Sequence, residues 1–320
     1  MLKGYLSKAF AFPKYLRAIR NRELIRMPIY ITERCSSHCK TCGIWRKKNP
    51  IDMSVEMIRG ILDSVDCKKA DIVLQGGEPI MHPDVEEILG LLRERGCKYQ
   101  LFSNGILADK LVYLVNKYDV PNVALSCDGG REAYKKARGV DNYLNIVRLL
   151  GDLNGLTRLE VSYIISSWNS RKDLLTVAKL SKRFGATLNI DVYDEIEYFG
   201  TNAPRMGGIY KADDLASFPK NKCLRLYNDW LKGGVALPCY SVRISCFITT
   251  DGGVYSCGRA LVKLGDLSKQ SLAEIWNSPH TVRVQDELTH GCNKCFSTCY
   301  RNTDVAFALV FPKAVLERLL

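Results

Sequence analysis

The residues best suited by type and spacing to do chemistry are cysteines. The chain carries thirteen in 320 residues, with three between 35 and 42 and six between 239 and 299, while Cys67, Cys97, Cys127 and Cys223 stand alone. An odd number in a large chain fits no simple disulfide framework, so metal ligation by thiolates is the better account of the two groups. The four isolated cysteines read as small buried apolar residues. The first group has the spacing Cys35-x3-Cys39-x2-Cys42. Three thiolates on one tight loop can hold three irons of a cubane and leave the fourth open to a chelating substrate or cofactor. A zinc site is the competing reading, but it would need a fourth Cys or His, and only His38 lies inside the loop.

Such a loop must be held by regular elements, and the sequence around it supplies them. Short β-rich runs at 28–32, 71–75, 99–103, 122–126, 159–165 and 187–193 alternate with amphipathic stretches near 54–64, 84–95, 107–118, 141–153 and 171–184. Strands alternating with helices read as parallel βα units with right-handed crossovers. Six strands are too few for a closed eight-stranded barrel, so the expected fold is α/β, a partial (β/α)6 TIM-like barrel over 28–193. The cysteine loop directly follows the first strand, at the face where such barrels place their chemistry. Residues 194–234 lack a period and contain Gly200, Pro204, Gly207, Gly208 and Pro219, which marks a bridging segment. A smaller unit follows at 235–300, opening with two strands joined by a turn at Asp251-Gly252-Gly253 and continuing through a short helix near 271–277 to CNKCFSTC. Residues 1–27 form a basic amphipathic segment and 301–320 a C-terminal helix.

The strand ends carry further signals. Gly76-Gly77-Glu78-Pro79 follows the second strand, Ser103-Asn104-Gly105 the third and Ser126-Cys127-Asp128-Gly129 the fourth. With the cysteine loop, this ordered set resembles the radical S-adenosylmethionine (SAM) family. The resemblance implies that Cys35, Cys39 and Cys42 bind a catalytic [4Fe-4S] cluster whose open iron is chelated by SAM. It implies further that Gly76, Gly77, Glu78, Pro79, Ser103, Asn104, Ser126, Asp128 and Arg138 contact the cofactor, Arg138 at the position of a base that pairs with the SAM carboxylate. The residue before the third cysteine is usually aromatic in that family; here it is Thr41, and Trp45 is the nearby substitute. The implied chemistry is reductive cleavage of SAM to a 5′-deoxyadenosyl radical that abstracts hydrogen from an unactivated C–H bond. A flavodoxin- or ferredoxin-like protein would supply the electron.

Downstream, Cys239-x12-Gly252-x4-Cys257 and Cys292-x2-Cys295-x3-Cys299 resemble the SPASM domain, or the shorter twitch domain, that holds auxiliary clusters. Six cysteines suit one auxiliary [4Fe-4S] cluster, two clusters in all, with Cys239, Cys257, Cys292 and Cys295 as the expected ligands. A structural zinc ribbon from the same four is the alternative. Cys246 and Cys299 remain as alternates or as hydrogen-donating thiols.

Size matches the enzymes of that group that act on sugars or aminocyclitols; the alternative is peptide or protein side-chain modification of the ribosomal-peptide type. Residues 1–48 hold twelve Lys or Arg against Glu23 and Glu33, so +10 of the chain's +12 sits at one end. Charge so confined argues against nucleic acid as a partner and raises a second expectation, peripheral contact of the N-terminus with anionic membrane and a lipid-linked substrate. No apolar run is long enough to span a bilayer and no signal-peptide pattern opens the chain, so a cytoplasmic location is expected.

Overall fold

The computed structural model of the chain describes residues 13–194, 197–200 and 222–310. A helix α1 over 13–21 leads into β1 (Arg26–Thr32), α2 (Val55–Asp63), β2 (Asp71–Gly76), α3 (Val85–Glu94), β3 (Lys98–Ser103), α4 (Ala108–Tyr118) and β4 (Asn122–Ser126). Then follow α5 (Arg131–Arg138), α6 (Tyr143–Asp152), β5 (Arg158–Ile165), α7 (Arg171–Arg183) and β6 (Thr187–Val192). Past the bridging region lie α8 (Lys222–Arg225), α9 (Tyr227–Leu231), β7 (Phe247–Ile248), β8 (Gly253–Tyr255), β9 (Lys263–Asp266), α10 (Leu272–Trp276), α11 (Pro279–Gly291) and α12 (Thr298–Val310).

Strands β1 to β6 lie side by side in sequence order and all pair parallel, giving the open partial barrel that the alternating pattern predicts. Each helix turns an apolar stripe to the sheet: Ile58, Ile61 and Leu62 on α2 and Ile88, Leu89 and Leu92 on α3 are buried in one core with Ile72, Leu74 and Leu101 of the strands. Local signals start the helices. Ser54 accepts from Met57 N at α2, and Ser170 with Asp173 forms a capping box at α7. On β5 the burial alternates residue by residue, Leu159, Val161, Tyr163 and Ile165 facing the helices while Glu160, Ser162 and Ile164 face the barrel interior.

Four helices lie where the periodicity gave no element, α8 and α9 in the bridging segment and α5 and α11 elsewhere. The segment between Gly130 and Gly139 forms α5, ended by Gly139 at φ +70°, and α11 starts at Ser278-Pro279, whose cap and first-turn proline suit a helix start. The sheet also continues beyond the barrel. β7 pairs parallel with β1, Ile29 opposite Ile248, and the antiparallel β7–β8–β9 meander extends the sheet to nine strands.

The N-terminal segment is described from residue 13, so Leu2 to Phe12 lie outside the described residues. Its described part packs on the protein. Ala18 and Ile19 are buried with Ile25, Tyr240, Ile244 and Phe307, and Arg22 bonds Gln285 Oε1 at 2.8 Å and Asp286 Oδ1 at 2.6 Å. No described helix is long and apolar enough to cross a membrane.

Candidate active site

The loop after β1 is fixed by backbone contacts that explain the glycines around it. Gly77 N donates to Thr32 O and Glu78 N to Arg34 O, both at 2.7 Å, so the segment after β2 runs against the entry to the cysteine loop. A Cβ on Gly76 would lie 2.3 Å from Thr32 O, and one on Gly77 2.1 Å from Arg34 O, so no larger residue fits at either position. On the other side α5 holds the loop: His38 N donates to Arg138 O at 3.0 Å and Lys40 N to Ala137 O at 2.9 Å. Gly139 is needed there, since its Cβ would meet His38 O at 2.4 Å.

These contacts bring the thiols to one end of a cavity of about 270 Å3. Cys35, Cys39 and Cys42 line it with Gly76, Gly77, Glu78 and Pro79. Ser103, Asn104, Ser126 and Arg138 complete that wall. Burial pushes the Cys35 and Cys42 thiols up to about 12. Positive charge is what would bring them down, and Arg138 lies near, its Nη1 3.8 Å from Cys39 Sγ. Arg138 is itself fixed by Asp128, whose Oδ2 accepts from Nε at 2.5 Å; burial alone would lower the Arg138 pKa, and the Asp128, Cys39 and Tyr134 charges with the Asp128 hydrogen bond together more than offset it. Asp128 does not line the cavity. It is 1% exposed, takes Ile164 N on its other oxygen, and reaches the site only through Arg138, so the expectation of a cofactor contact from Asp128 itself is corrected to an indirect one.

Glu78 is equally buried. Its Oε2 accepts from Asn104 N at 2.7 Å, while Oε1 has no partner, and burial raises its pKa to about 7. Asn104 turns its Nδ2 to Ser36 Oγ at 3.4 Å and to Cys35 Sγ at 3.9 Å. Thr41 and Trp45 also line the cavity, and Trp45 Nε1 donates to Cys39 O at 3.2 Å, which keeps the indole beside the loop. Three deprotonatable thiols, a glycine cradle no side chain could fill and an orphaned buried carboxylate oxygen all fit a [4Fe-4S] cluster with an amine-bearing ligand on it.

Of the opposite wall, sequence motifs mark only Cys299. Arg26 of β1, Asp191 of β6, Arg259 after β8, and Ser297, Cys299 and Tyr300 at the start of α12 face the same cavity. Asp191 Oδ2 accepts from Ser297 Oγ at 2.6 Å and Oδ1 from Thr298 N at 2.9 Å, tying the barrel's last strand to α12. Only the inward half of the β-strand alternation marks Asp191 in sequence; nothing local marks Arg259. Cys299 is exposed, but to the cavity and amid surrounding protein, and burial followed by the Asp191 charge pushes its thiol up to about 12. Cys246, the other candidate hydrogen donor, is 1% exposed and part of the hydrophobic core, away from the cavity, and that role is withdrawn.

The remaining four predicted ligands form a second group. Cys239, Cys257 and Cys295 are buried and Cys292 half-buried. Mutual charge links Cys239 to Cys295 and Cys257, and Cys257 to Cys292. Cys239 precedes the turn Tyr240–Arg243, Cys257 follows β8, and Cys292 and Cys295 lie between α11 and α12. Burial raises the Cys239, Cys257 and Cys295 thiols, Cys295 to about 12, so this set too calls for a compensating cation. Among the described residues no three such side chains are gathered around a single-ion position; a cubane spreads its thiolates over separate irons. Cys67, Cys97, Cys127 and Cys223 are buried in the main core.

Residues 29–165 match the radical SAM superfamily, and residues 239–299 match SPASM, an iron-sulfur cluster-binding domain. The chain is 24% identical over 311 residues to the AdoMet-dependent heme synthase of Methanosarcina barkeri, covering 83% of this chain and 86% of that protein. It is 29% identical over 210 residues to a probable GTP 3′,8-cyclase of Methanocaldococcus jannaschii, covering 63% and 68% of the two. Among solved structures, SuiB of Streptococcus suis bound to S-adenosylmethionine superposes with a TM-score of 0.68 at 13% identity, covering 88% of this chain and 75% of that one, a likeness of fold.

Proposed function

Because this chain is a radical SAM superfamily enzyme with a C-terminal SPASM domain, using SAM and [4Fe-4S] clusters, we propose that Cys35, Cys39 and Cys42 hold the catalytic cluster and Cys239, Cys257, Cys292 and Cys295 one auxiliary cluster. The observation that carries this reading is the convergence of the cysteine loop, the Gly76–Pro79 turn, Asn104 and Arg138 on one end of a single cavity. When bound, the cofactors supply one-electron cleavage of SAM to a 5′-deoxyadenosyl radical, hydrogen abstraction from a C–H bond, and an auxiliary centre for electron transfer.

The protein's own part is binding, orientation and charge. Gly76 and Gly77 let backbone approach the amino-acid end of SAM, and the free Oε1 of Glu78 is an acceptor for its amino group. Arg138, held by Asp128, is a fixed cation for the SAM carboxylate and the thiolates. Trp45 and Ile44 offer apolar surface toward adenine. At the far wall Cys299 keeps its proton, the form able to return a hydrogen atom to a substrate radical.

The substrate that suits this cavity is a small polyhydroxylated molecule, a sugar or aminocyclitol. Gln75, Ser126, Ser162, Asn189 and Asp191 offer hydrogen bonds beside the aromatic surfaces of Phe102 and Phe247. Electrons come from a flavodoxin- or ferredoxin-like donor. Incubating the reduced, reconstituted protein anaerobically with SAM and cell extract is expected to yield 5′-deoxyadenosine and a small-molecule product changed by one or two hydrogens. Absence of 5′-deoxyadenosine sinks the cluster assignment, and a change found only in the peptide fraction replaces the substrate reading.

A further inference from the structure

Beside the auxiliary thiols lies a charge pair that the chemistry above leaves unused. Arg301 and Asp304, one turn apart on α12, are 1% and 2% exposed. A buried ion pair is weak evidence of stability in itself, because desolvation offsets the attraction. Its surroundings here are specific. Arg301 Nη2 donates to Leu237 O at 2.7 Å and Nη1 to Pro238 O at 3.2 Å, the two carbonyls that precede Cys239. On the other side of that cysteine, Asp304 Oδ1 accepts from Tyr240 N at 2.9 Å. Nη1 and Asp304 Oδ2 approach to 2.9 Å, a charge contact whose angle makes no hydrogen bond. The remaining guanidinium nitrogen, Nε, is buried and has no partner. A cation with an unspent donor is thus held beside Cys239 by carbonyls that fix its position.

Resting on the ligand assignment made above, we propose that Arg301 sets the redox poise of the auxiliary centre: its fixed charge and free Nε–H favour the reduced cluster, and Asp304 trims that effect. Reduction adds one negative charge to the cluster. Net charge and hydrogen bonds to sulfur are among the factors that set cluster potentials, and a neighbouring cation raises the potential. Arg301 therefore acts on the reaction through the cluster, as a positioning residue rather than a catalytic one.

The test uses the full chain with Cys35, Cys39 and Cys42 replaced by Ala, so that only the auxiliary centre contributes, reconstituted anaerobically and titrated with dithionite in mildly alkaline buffer under spectroscopic readout. Iron is measured first: no iron would defeat the ligand assignment, whereas iron with an unresponsive potential would defeat only this inference. Arg301→Gln is expected to lower the ratio of reduced to oxidised cluster at a fixed potential by about tenfold, equivalent to about 59 mV for a one-electron couple. Arg301→Lys, which keeps the charge, is expected to recover most of that. Asp304→Asn, which keeps the acceptor for Tyr240 N, is expected to shift the ratio the opposite way. If Arg301→Gln fails to assemble a cluster, the direction of the Asp304→Asn shift decides. No shift in either variant, or cluster loss in both Arg301 variants, overturns the proposal in favour of a purely structural clamp.

Discussion

The two thiol groups are built in opposite ways. Cys35, Cys39 and Cys42 come from one loop, so three ligands share one side and the cavity occupies the other. Cys239, Cys257, Cys292 and Cys295 come from three separate places in the chain, and none of them lines that cavity. On the ligand assignment proposed above, a loop of three leaves an open coordination position, whereas four from dispersed elements would close around their centre. Reactivity and enclosure are therefore divided between the sites by chain topology, with Cys299 and Tyr300 on the wall between them. Tyr300 OH accepts from Gly258 N at 3.1 Å, next to Cys257, and the residue also lines the cavity.

The sharpest way to break this contrast is to remove each site in turn. Replacing Cys35, Cys39 and Cys42 by Ala is expected to lower iron from about eight to about four per chain and to abolish 5′-deoxyadenosine formation. Cys257→Ala is expected to leave SAM cleavage measurable but stop product formation. Equal loss of 5′-deoxyadenosine in both would show the sites to be one functional unit, and zinc in place of iron at the second site of anaerobically purified protein would end its redox role.

A smaller effect separates the two glycines beside them. Gly77→Ala places a methyl group 2.1 Å from a backbone oxygen that cannot move without shifting the cysteine loop, so it should cost about 1–3 kcal/mol. Thermal unfolding and SAM binding should both show the loss. Gly258→Ala meets the Tyr300 hydroxyl at 3.3 Å, the end of a side chain that can yield, and the Phe247 ring at an ordinary 3.8 Å, and should unfold close to wild type. Similar losses in both would mean that the catalytic loop is no more tightly cradled than the auxiliary one.

The smallest expected effect concerns neither site. Because Ala18 and Ile19 are packed inside, the membrane expectation now rests on residues 1–12, and their deletion should reduce salt-sensitive binding to anionic vesicles, each lost Lys being worth about 1 kcal/mol. Equal sedimentation of full-length and shortened protein would leave the N-terminus as packing alone.

What sequence made visible were features with a local cause. Strand ends at 76–79, 103–105 and 126–129 advertise themselves through Gly, Asn and Asp, because turning the chain beside a ligand needs positive φ or a short polar side chain. Gly76 at φ +138° and Gly105 at φ +71° bear that out. What stayed hidden was long-range. Ile29 and Ile248 are ordinary apolar residues whose pairing no local pattern announces. Asp191, Arg259 and Arg301 look like solvated charges until tertiary packing half-buries the first two and buries the third. Cys246 alternates with Phe247 at the head of β7 and Cys299 ends the C-x2-C-x3-C run; the first faces the core and the second the cavity.

The pairing of β1 has a further consequence. Ile25 N and Arg26 N donate to Ile244 O at 2.9 and 3.1 Å, and Cys246 N donates to Arg26 O at 3.3 Å. The first strand of the barrel is therefore an interior strand, with β2 on one flank and β7 on the other. Cutting the chain ahead of residue 235 would turn β1 into a bare edge, its amides and carbonyls open to another chain. The iron-sulfur region is thus a selvedge woven into the cloth rather than a patch sewn onto it, and the two halves are expected to unfold together in one thermal transition.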